Sequence, residues 1–152
     1  MTTLIENAVT LADIAKATKG TAAHVEADCH ELSLFVGSNW SGAPALSTVD
    51  AHAYVSGSAR RDAAHADAHT RWRAASEAWE ADREAVRRTA YNDCFDTARR
   101  RGVGDPAAAH EAAQVASAAV VAFERKTPEP TFGDWAPSRL SQVKTRVKEV
   151  VR

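Results

Sequence analysis

Residues 99–110 read RRRGVGDPAAAH, and this stretch separates the two longest helical patterns of the chain. Residues 58–101 contain neither proline nor glycine and are rich in alanine, the residue with the highest helix propensity. Two glycines end that pattern after three arginines, which the helix dipole favours in a last turn. Asp105 as N-cap and Pro106 at the first helical position begin a second helix, which extends to about Lys126. So short a connection predicts an antiparallel αα-hairpin.

The first hairpin helix carries large apolar residues at seven-residue spacing. Trp72, Trp79 and Val86 form this stripe, which favours a hydrophobic core or an oligomer seam. The alternative is a stacking platform for single-stranded nucleic acid. Because the first helix is much longer than the second, the face near Trp72 lacks a partner within the hairpin, and we expect self-association or the head to cover it. The second helix has an expected buried side of Ala109, Ala112, Ala116, Ala119, Val120 and Phe123.

Upstream of the hairpin, two short helices precede a strand-like run. Thr10 caps a first helix of about two turns, and Thr21 caps a second over roughly 22–33. Leu34-Phe35-Val36 is the strand-like run, turn-forming residues follow it, and the S-x-x-D signature at 47–50 begins another helix. Gly57 is interpreted as a hinge before the long helix. The expected core of this head consists of Leu11, Ile14, Val25, Leu32, Phe35, Leu46 and Val49.

The residues of the head resemble a known pattern. The stretches TLADIAKATKGTAAHVEADCHELSLFV, from Thr10, and LSTVDAHAYV, from Leu46, resemble the small N-terminal module of bacterial translation initiation factor two. They are also similar to the winged helix-turn-helix of the MerR and excisionase types. The resemblance covers residues 9–56, about one third of the chain, and rests mostly on apolar spacing. It implies a winged helix-turn-helix whose second helix enters the major groove of DNA.

The second helix departs from that family pattern in its side chains. A DNA-reading helix normally carries Arg, Lys, Asn or Gln, whereas this one offers Thr21, two histidines and three acidic residues. Acids that face phosphates are repelled, and phosphate contacts supply most non-specific affinity. Two interpretations stay open: Thr21 and His24 contact nucleic acid, or the head is a protein-docking module.

Residues 128–152 combine a proline-rich linker with a basic amphipathic helix. Prolines prevent helix from continuing through the linker, in which Phe132 and Trp135 are interpreted as anchors in an apolar groove. Ser138 caps the final helix, whose apolar stripe is Leu140, Val143, Val147 and Val150. Its basic surface consists of Arg139, Lys144, Arg146 and Lys148. Because so short a helix is marginal in water, it either binds a protein partner or nucleic acid, or folds back to complete the core.

Charge is unevenly distributed along the 152 residues, whose formal net charge is −1. Residues 1–56 hold two lysines against six acids, a net of −4, whereas residues 128–152 hold five bases against three acids, a net of +2. The chain is therefore acidic at the front and basic at the back. The densest basic feature of the hairpin is Arg99, Arg100 and Arg101 with an Arg-Arg pair at 87–88. It is interpreted as a phosphate contact or as a solvated helix end.

Several classes of protein are excluded by the sequence. The sequence contains no run of about 18 apolar residues, so we expect no membrane span. Its first residues lack the basic and apolar regions of a secretory signal, so we expect no such signal. Cys29 and Cys94 are expected to be reduced thiols in a cytoplasmic protein, although a disulfide between them stays open. No catalytic motif of the G-x-S-x-G or H-E-x-x-H kind occurs, so we expect no enzyme and no cofactor. Asp62, His65 and His69 share a helix face, but without a fourth ligand nearby we predict a solvated face and no metal.

The fold class predicted is mainly α. A helix-turn-helix-like head occupies residues 1–56, a helical hairpin suited to oligomerisation 57–127, and the linker with its basic helix 128–152. The first functional hypothesis is a non-enzymatic nucleic-acid-binding adaptor, whose layout resembles small phage packaging subunits and small phage or actinobacterial regulators. The second is a structural or assembly protein, such as part of a virus particle, whose head docks protein and binds no DNA. Either would be a homo-oligomer in the host cytoplasm or the virion.

Overall fold

The computed structural model of the protein describes residues 3–151. With 71% of the described residues helical and a small three-stranded sheet, the mainly α fold class is confirmed. The strands are β1 (Val9–Thr10), β2 (Gly37–Ser38) and β3 (Pro44–Leu46). The helices are α1 (Leu11–Ala17), α2 (Ala22–Glu31), α3 (Thr48–Arg100), α4 (Asp105–Lys126) and α5 (Ser141–Val151), with a 3-10 helix at Phe132–Asp134.

Two compact units make up the described chain. The first, the head unit, runs to Asp67 and resumes at Ala136, and the second, the hairpin unit, is Ala68–Trp135. These boundaries differ from the divisions predicted after residues 56 and 127. The interpretation of Gly57 as a hinge is wrong, because α3 passes through it without a break.

A short turn joins α1 and α2. The Thr10 hydroxyl accepts a hydrogen bond from the amide of Asp13 at 3.2 Å, and the Thr21 hydroxyl accepts one from the amide of His24 at 3.3 Å. Both predicted N-caps are therefore confirmed. Lys19 adopts a left-handed backbone conformation with φ of 56°, which ends α1 and directs the chain into α2.

The antiparallel sheet has the strand order β1–β3–β2. The predicted strand-like run at 34–36 lies just before β2. Side chains along this run point alternately to opposite sides. Leu34 and Val36 pack against the core, while Phe35 between them is 58% exposed. The assignment of Phe35 to the core is wrong, because successive side chains of extended backbone point to opposite sides.

The core of the head unit contains most of the residues predicted for it. Leu11, Ile14, Val25 and Leu46 are at most 3% exposed, and Leu32 packs half-buried at the core's edge. Val49 is 55% exposed, so its assignment to the core is wrong. The buried face of α3 begins two residues later, with Ala51, and Val49 lies outside that face.

Helix α5 and Leu140, the residue before it, fold back and pack within the head unit. Leu140, Val143 and Val147 are at most 8% exposed and belong to the core that α1, α2 and α3 also form. Gly57 permits this packing, because a Cβ there would lie 2.6 Å from Val143 Cα. The folded-back alternative is thus the one observed for the apolar stripe, and the described Val150 is half-buried beside it.

The hairpin unit pairs the second part of α3 with α4. Ala108, Ala112 and Ala116 are buried, and Ala98 of α3 is 0% exposed. Of the residues predicted to face inward, Ala112 and Ala116 are thus buried, whereas Ala109, Ala119, Val120 and Phe123 are half-buried. Gly104 is the N-cap of α4 and Asp105 lies in its first turn, which corrects the predicted N-cap by one residue. None of the described helices is long and apolar enough to cross a membrane.

The linker after α4 covers both tryptophans of the heptad stripe. The indole N–H of Trp79 donates to the carbonyl of Thr127 at 2.7 Å, and that of Trp72 donates to the carbonyl of Pro130 at 2.9 Å. Phe132 lies against Trp72, with ring centroids 5.6 Å apart. The expectation that the hairpin leaves the face near Trp72 uncovered is wrong, because the chain's own linker lies on it.

The two free cysteines differ in their exposure. Cys29 is 0% exposed, and its burial, with the nearby charge of Asp28, raises the pKa of its thiol to about 12. Because the thiolate is the reactive form, we expect Cys29 to resist a thiol reagent at mildly alkaline pH while the half-buried Cys94 reacts. A chromogenic disulfide reagent should count one thiol in the native protein and both after denaturation. Rapid reaction of both native thiols would contradict this expectation.

Candidate nucleic-acid interface

Helix α2 presents one side to solvent. Thr21, His24 and His30 are exposed, as are the alanines at 22, 23 and 27. The two predicted contact residues, Thr21 and His24, therefore lie on the accessible side at the N-terminal end of α2. The small alanine side chains allow another molecule to approach the helix backbone closely.

One of the three acids of α2 is turned into the protein. Asp28 is 2% exposed and accepts hydrogen bonds from the Tyr54 hydroxyl at 2.7 Å and from the Arg139 guanidinium at 2.5 Å. Burial and the bond to Asp28 raise the pKa of Tyr54, and the bond to Asp28 raises the pKa of Arg139. Only Glu26 and Glu31 remain as exposed acids of α2, so the repulsion of phosphates is smaller than the sequence suggests.

Two of the clefts on the head unit lie at the ends of α2, one at each end. The cleft at the N-terminal end has a volume of about 420 Å³ and is lined by the cations Lys19 and Arg61. The cleft at the C-terminal end has a volume of about 410 Å³ and is lined by Arg139, Lys144 and Lys148. Cationic side chains thus lie at both ends of α2. Acids are also present, because Asp28 lines the first cleft, Glu31 lines the second, and Arg61 pairs with Asp62 at 3.4 Å.

The four predicted basic residues near α5 have different environments. Lys144 and Lys148 are exposed, and among the described residues neither forms an ion pair. Arg146 is paired with Glu149 at 3.4 Å and is only 27% exposed in its side chain. Arg139 is half-exposed and holds the buried Asp28. Of these four residues, the two lysines are therefore the cations best able to contact a negatively charged partner.

The predicted arginine cluster of the hairpin is largely engaged within the chain. Arg99 pairs with Asp105 at 2.7 Å and Arg101 with Glu111 at 2.8 Å, so both brace the loop between α3 and α4. Arg100 is exposed and forms no ion pair with the part of the chain that the structure describes. The cluster lies in the hairpin unit and not in the head unit.

The loop between β2 and β3 exposes a tryptophan. Asn39 shapes this loop, since its side-chain oxygen accepts hydrogen bonds from the amides of Ser41 and Ala43 at 3.0 and 2.9 Å. Trp40 at its tip is 77% exposed. From the sequence, Trp40 was predicted only as part of a turn and Lys19 only as part of the break after α1, and Arg61 was assigned to no site. Turn-forming neighbours are a sequence signal for exposure of Trp40, whereas the positions of the two cations follow only from the tertiary fold.

Two further candidates from the sequence were a metal site at Asp62, His65 and His69 and a stacking platform at Trp72 and Trp79. Among residues 3–151, no group of three His, Cys, Asp or Glu side chains is placed to hold a metal. His69 lies against Trp72 and Phe132, with ring centroids 5.3 and 5.5 Å away. Trp79 is 8% exposed, which leaves little of its ring for stacking on a base.

No family model, curated protein or solved structure matches the chain.

Proposed function

We propose that this protein is a non-enzymatic nucleic-acid-binding adaptor, whose head engages duplex DNA as a winged helix-turn-helix does. The observation that carries this proposal is the placement of cations in clefts at both ends of α2. A helix that enters the major groove has a phosphate backbone on each side, and cations at both of its ends are suited to meet those phosphates.

The exposed side chains of α2 indicate that DNA binding would depend only weakly on the base sequence. Its exposed side carries alanines, Thr21 and His24, and no Arg, Lys, Asn or Gln that could make the usual bidentate contacts with base edges. Binding would therefore depend mainly on phosphate contacts through the lysines and arginines of the two clefts. Such binding weakens steeply as salt concentration rises.

We further propose that the protein self-associates through the hairpin unit. We propose that it is of the small phage or actinobacterial type and acts in the cytoplasm, which for a phage protein means the host cytoplasm or the virion. Since the apolar side of α5 packs in the head unit, a protein partner or nucleic acid would contact only its basic side. Lys144 and Lys148 are the residues of that side with free charge among those described.

Electrophoretic mobility shifts of duplex DNA across a range of salt concentrations test DNA binding. Replacing Lys144 or Lys148 with alanine should each weaken binding and lower the slope of log affinity against log salt by about one. Lys126→Ala, which removes an exposed lysine at the end of α4, is the matched control and should change neither. Equal loss in the control, or no shift at low salt, would contradict the proposal.

The second candidate function is a structural or assembly protein whose head docks protein. The exposure of Trp40 at 77% and Phe35 at 58% favours it, because large exposed apolar side chains mark protein interfaces. The loop from Asn39 to Ala43 also lacks the cations expected of a DNA-contacting wing. An absence of DNA binding together with loss of assembly in Trp40→Ala would support this candidate.

A further inference from the structure

Helix α4 buries one side against α3 and leaves an adjoining side open. Ala112 lies at the centre of the buried side. At 3.6 residues per turn, Ala118 lies about 120° round the helix from it. Val115 and Val121 flank Ala118 and are 44% and 47% exposed. The outer face of α4 is defined as Glu111, Gln114, Val115, Ala118, Val121, Ala122 and Arg125.

The hairpin unit has a thin core. Among the described residues of this unit that are buried, Trp79 is the single large side chain and the rest are alanines. Alanine buries little apolar area, so packing within two helices contributes little stability. In a four-helix bundle each helix has two neighbours. An apolar face beside the buried one is what α4 would show if it belonged to such a bundle.

The outer face of α4 is complementary to itself when two copies run antiparallel. Reversal about Ala118 places Glu111 of one copy opposite Arg125 of the other, and Val115 at the level of Val121 and Ala122. A two-fold axis repeats each of these contacts, giving two opposite-charge pairs and four shared valines. The small side chain of Ala118 at the centre lets the two helix backbones approach closely.

We propose that a second copy of this chain docks antiparallel on the outer face of α4, with the two-fold axis at Ala118. The proposal deepens the self-association stated under the proposed function, and it does not depend on DNA binding. Glu111 retains 45% exposure of its side chain beside Arg101, so its carboxylate is accessible to Arg125 of the second copy.

The test is the mass of the full chain in solution, measured by light scattering after size exclusion without nucleic acid. We expect about twice 16.3 kDa at micromolar concentrations. Because Ala118 meets its own copy at the axis, Ala118→Glu and Ala118→Lys should each reduce the mass to 16.3 kDa. An equimolar mixture of the two variants should recover the doubled mass. Ala113→Glu, on an exposed part of α4 outside the outer face, is the matched control and should remain dimeric.

Circular dichroism checks that every variant remains folded, which is expected because glutamate and lysine are good helix formers at exposed positions. A wild-type chain that stays at 16.3 kDa throughout the concentration range overturns the proposal. Dimers that persist in both Ala118 variants, or that are lost equally in Ala113→Glu, overturn the assignment to the outer face. DNA binding by a monomeric chain would overturn the dimer alone, whereas a dimer without DNA binding would overturn the nucleic-acid proposal alone.

Discussion

Replacing Ile14 with alanine is expected to lower the free energy of unfolding by about 2–5 kcal/mol. Ile14 is 1% exposed and belongs to the core that α1, α2, α3 and α5 share. Removal of its side chain leaves a cavity among elements from both ends of the chain, so these elements should lose stability together. Urea unfolding followed by far-UV circular dichroism measures the effect.

Phe35→Ala is the informative control for Ile14→Ala. The apolar pattern of the sequence assigns both residues to the core, whereas Phe35 is 58% exposed in the structure. Its loss should change the free energy of unfolding by about 0.5 kcal/mol or less. Similar large losses in the two variants would support the sequence pattern and contradict the observed placement of Phe35.

Most features that depend on near neighbours in the chain could be predicted. The exceptions are two caps, since Gly104 and not Asp105 is the N-cap of α4, and Ser138 lies too far before Ser141, the first residue of α5, to cap that helix. Thr10, Thr21 and Ser47 cap α1, α2 and α3 as predicted, the last by accepting a hydrogen bond from the amide of Asp50 at 3.2 Å. Each cap is formed by a side chain and an amide three residues later. Such signals require no knowledge of the tertiary fold, which is why the helices and the hairpin connection were also predictable.

Features that depend on distant contacts could not be predicted. The spacing of apolar residues in the sequence predicts the apolar stripe at the C-terminal helix, but it does not show that α1, α2 and α3 bury this stripe. The indole N–H groups of Trp72 and Trp79 donate hydrogen bonds to linker carbonyls that lie 58 and 48 residues later in the chain. A backbone carbonyl is present at every residue, so its role as a hydrogen-bond acceptor leaves no sequence signal.

The candidate site was predictable only in part. Lys144 and Lys148 were predicted from the amphipathic pattern of one helix, and they are exposed as expected. Lys19 and Arg61 line one cleft from different elements, so no local spacing relates them. Burial of Asp28 by Tyr54 and Arg139 also joins three distant segments, and it changes the charge that α2 presents.

Replacing Gly57 with alanine is expected to destabilise the protein, although alanine raises helix propensity. In an exposed helix interior this change would stabilise by about 1 kcal/mol. The added Cβ would lie 2.6 Å from Val143 Cα and 3.2 Å from Arg146 Cβ. Because a backbone atom of α5 must move, we expect a net loss of about 1–3 kcal/mol in the free energy of unfolding.

Hydrogen exchange distinguishes the cause of that loss. If α5 is displaced, its amides should exchange faster in Gly57→Ala, while the amides of α4 in the hairpin unit keep their protection. Gly133→Ala is the matched control, since no atom lies within 4 Å of its added Cβ, and it should leave stability and exchange nearly unchanged. A stabilised Gly57→Ala protein would mean that helix propensity outweighs the contact and that α5 does not pack on α3 in solution. The sign of the change in the free energy of unfolding in Gly57→Ala therefore tests whether α5 packs within the head unit. The cleft lined by Lys144 and Lys148 depends on that packing.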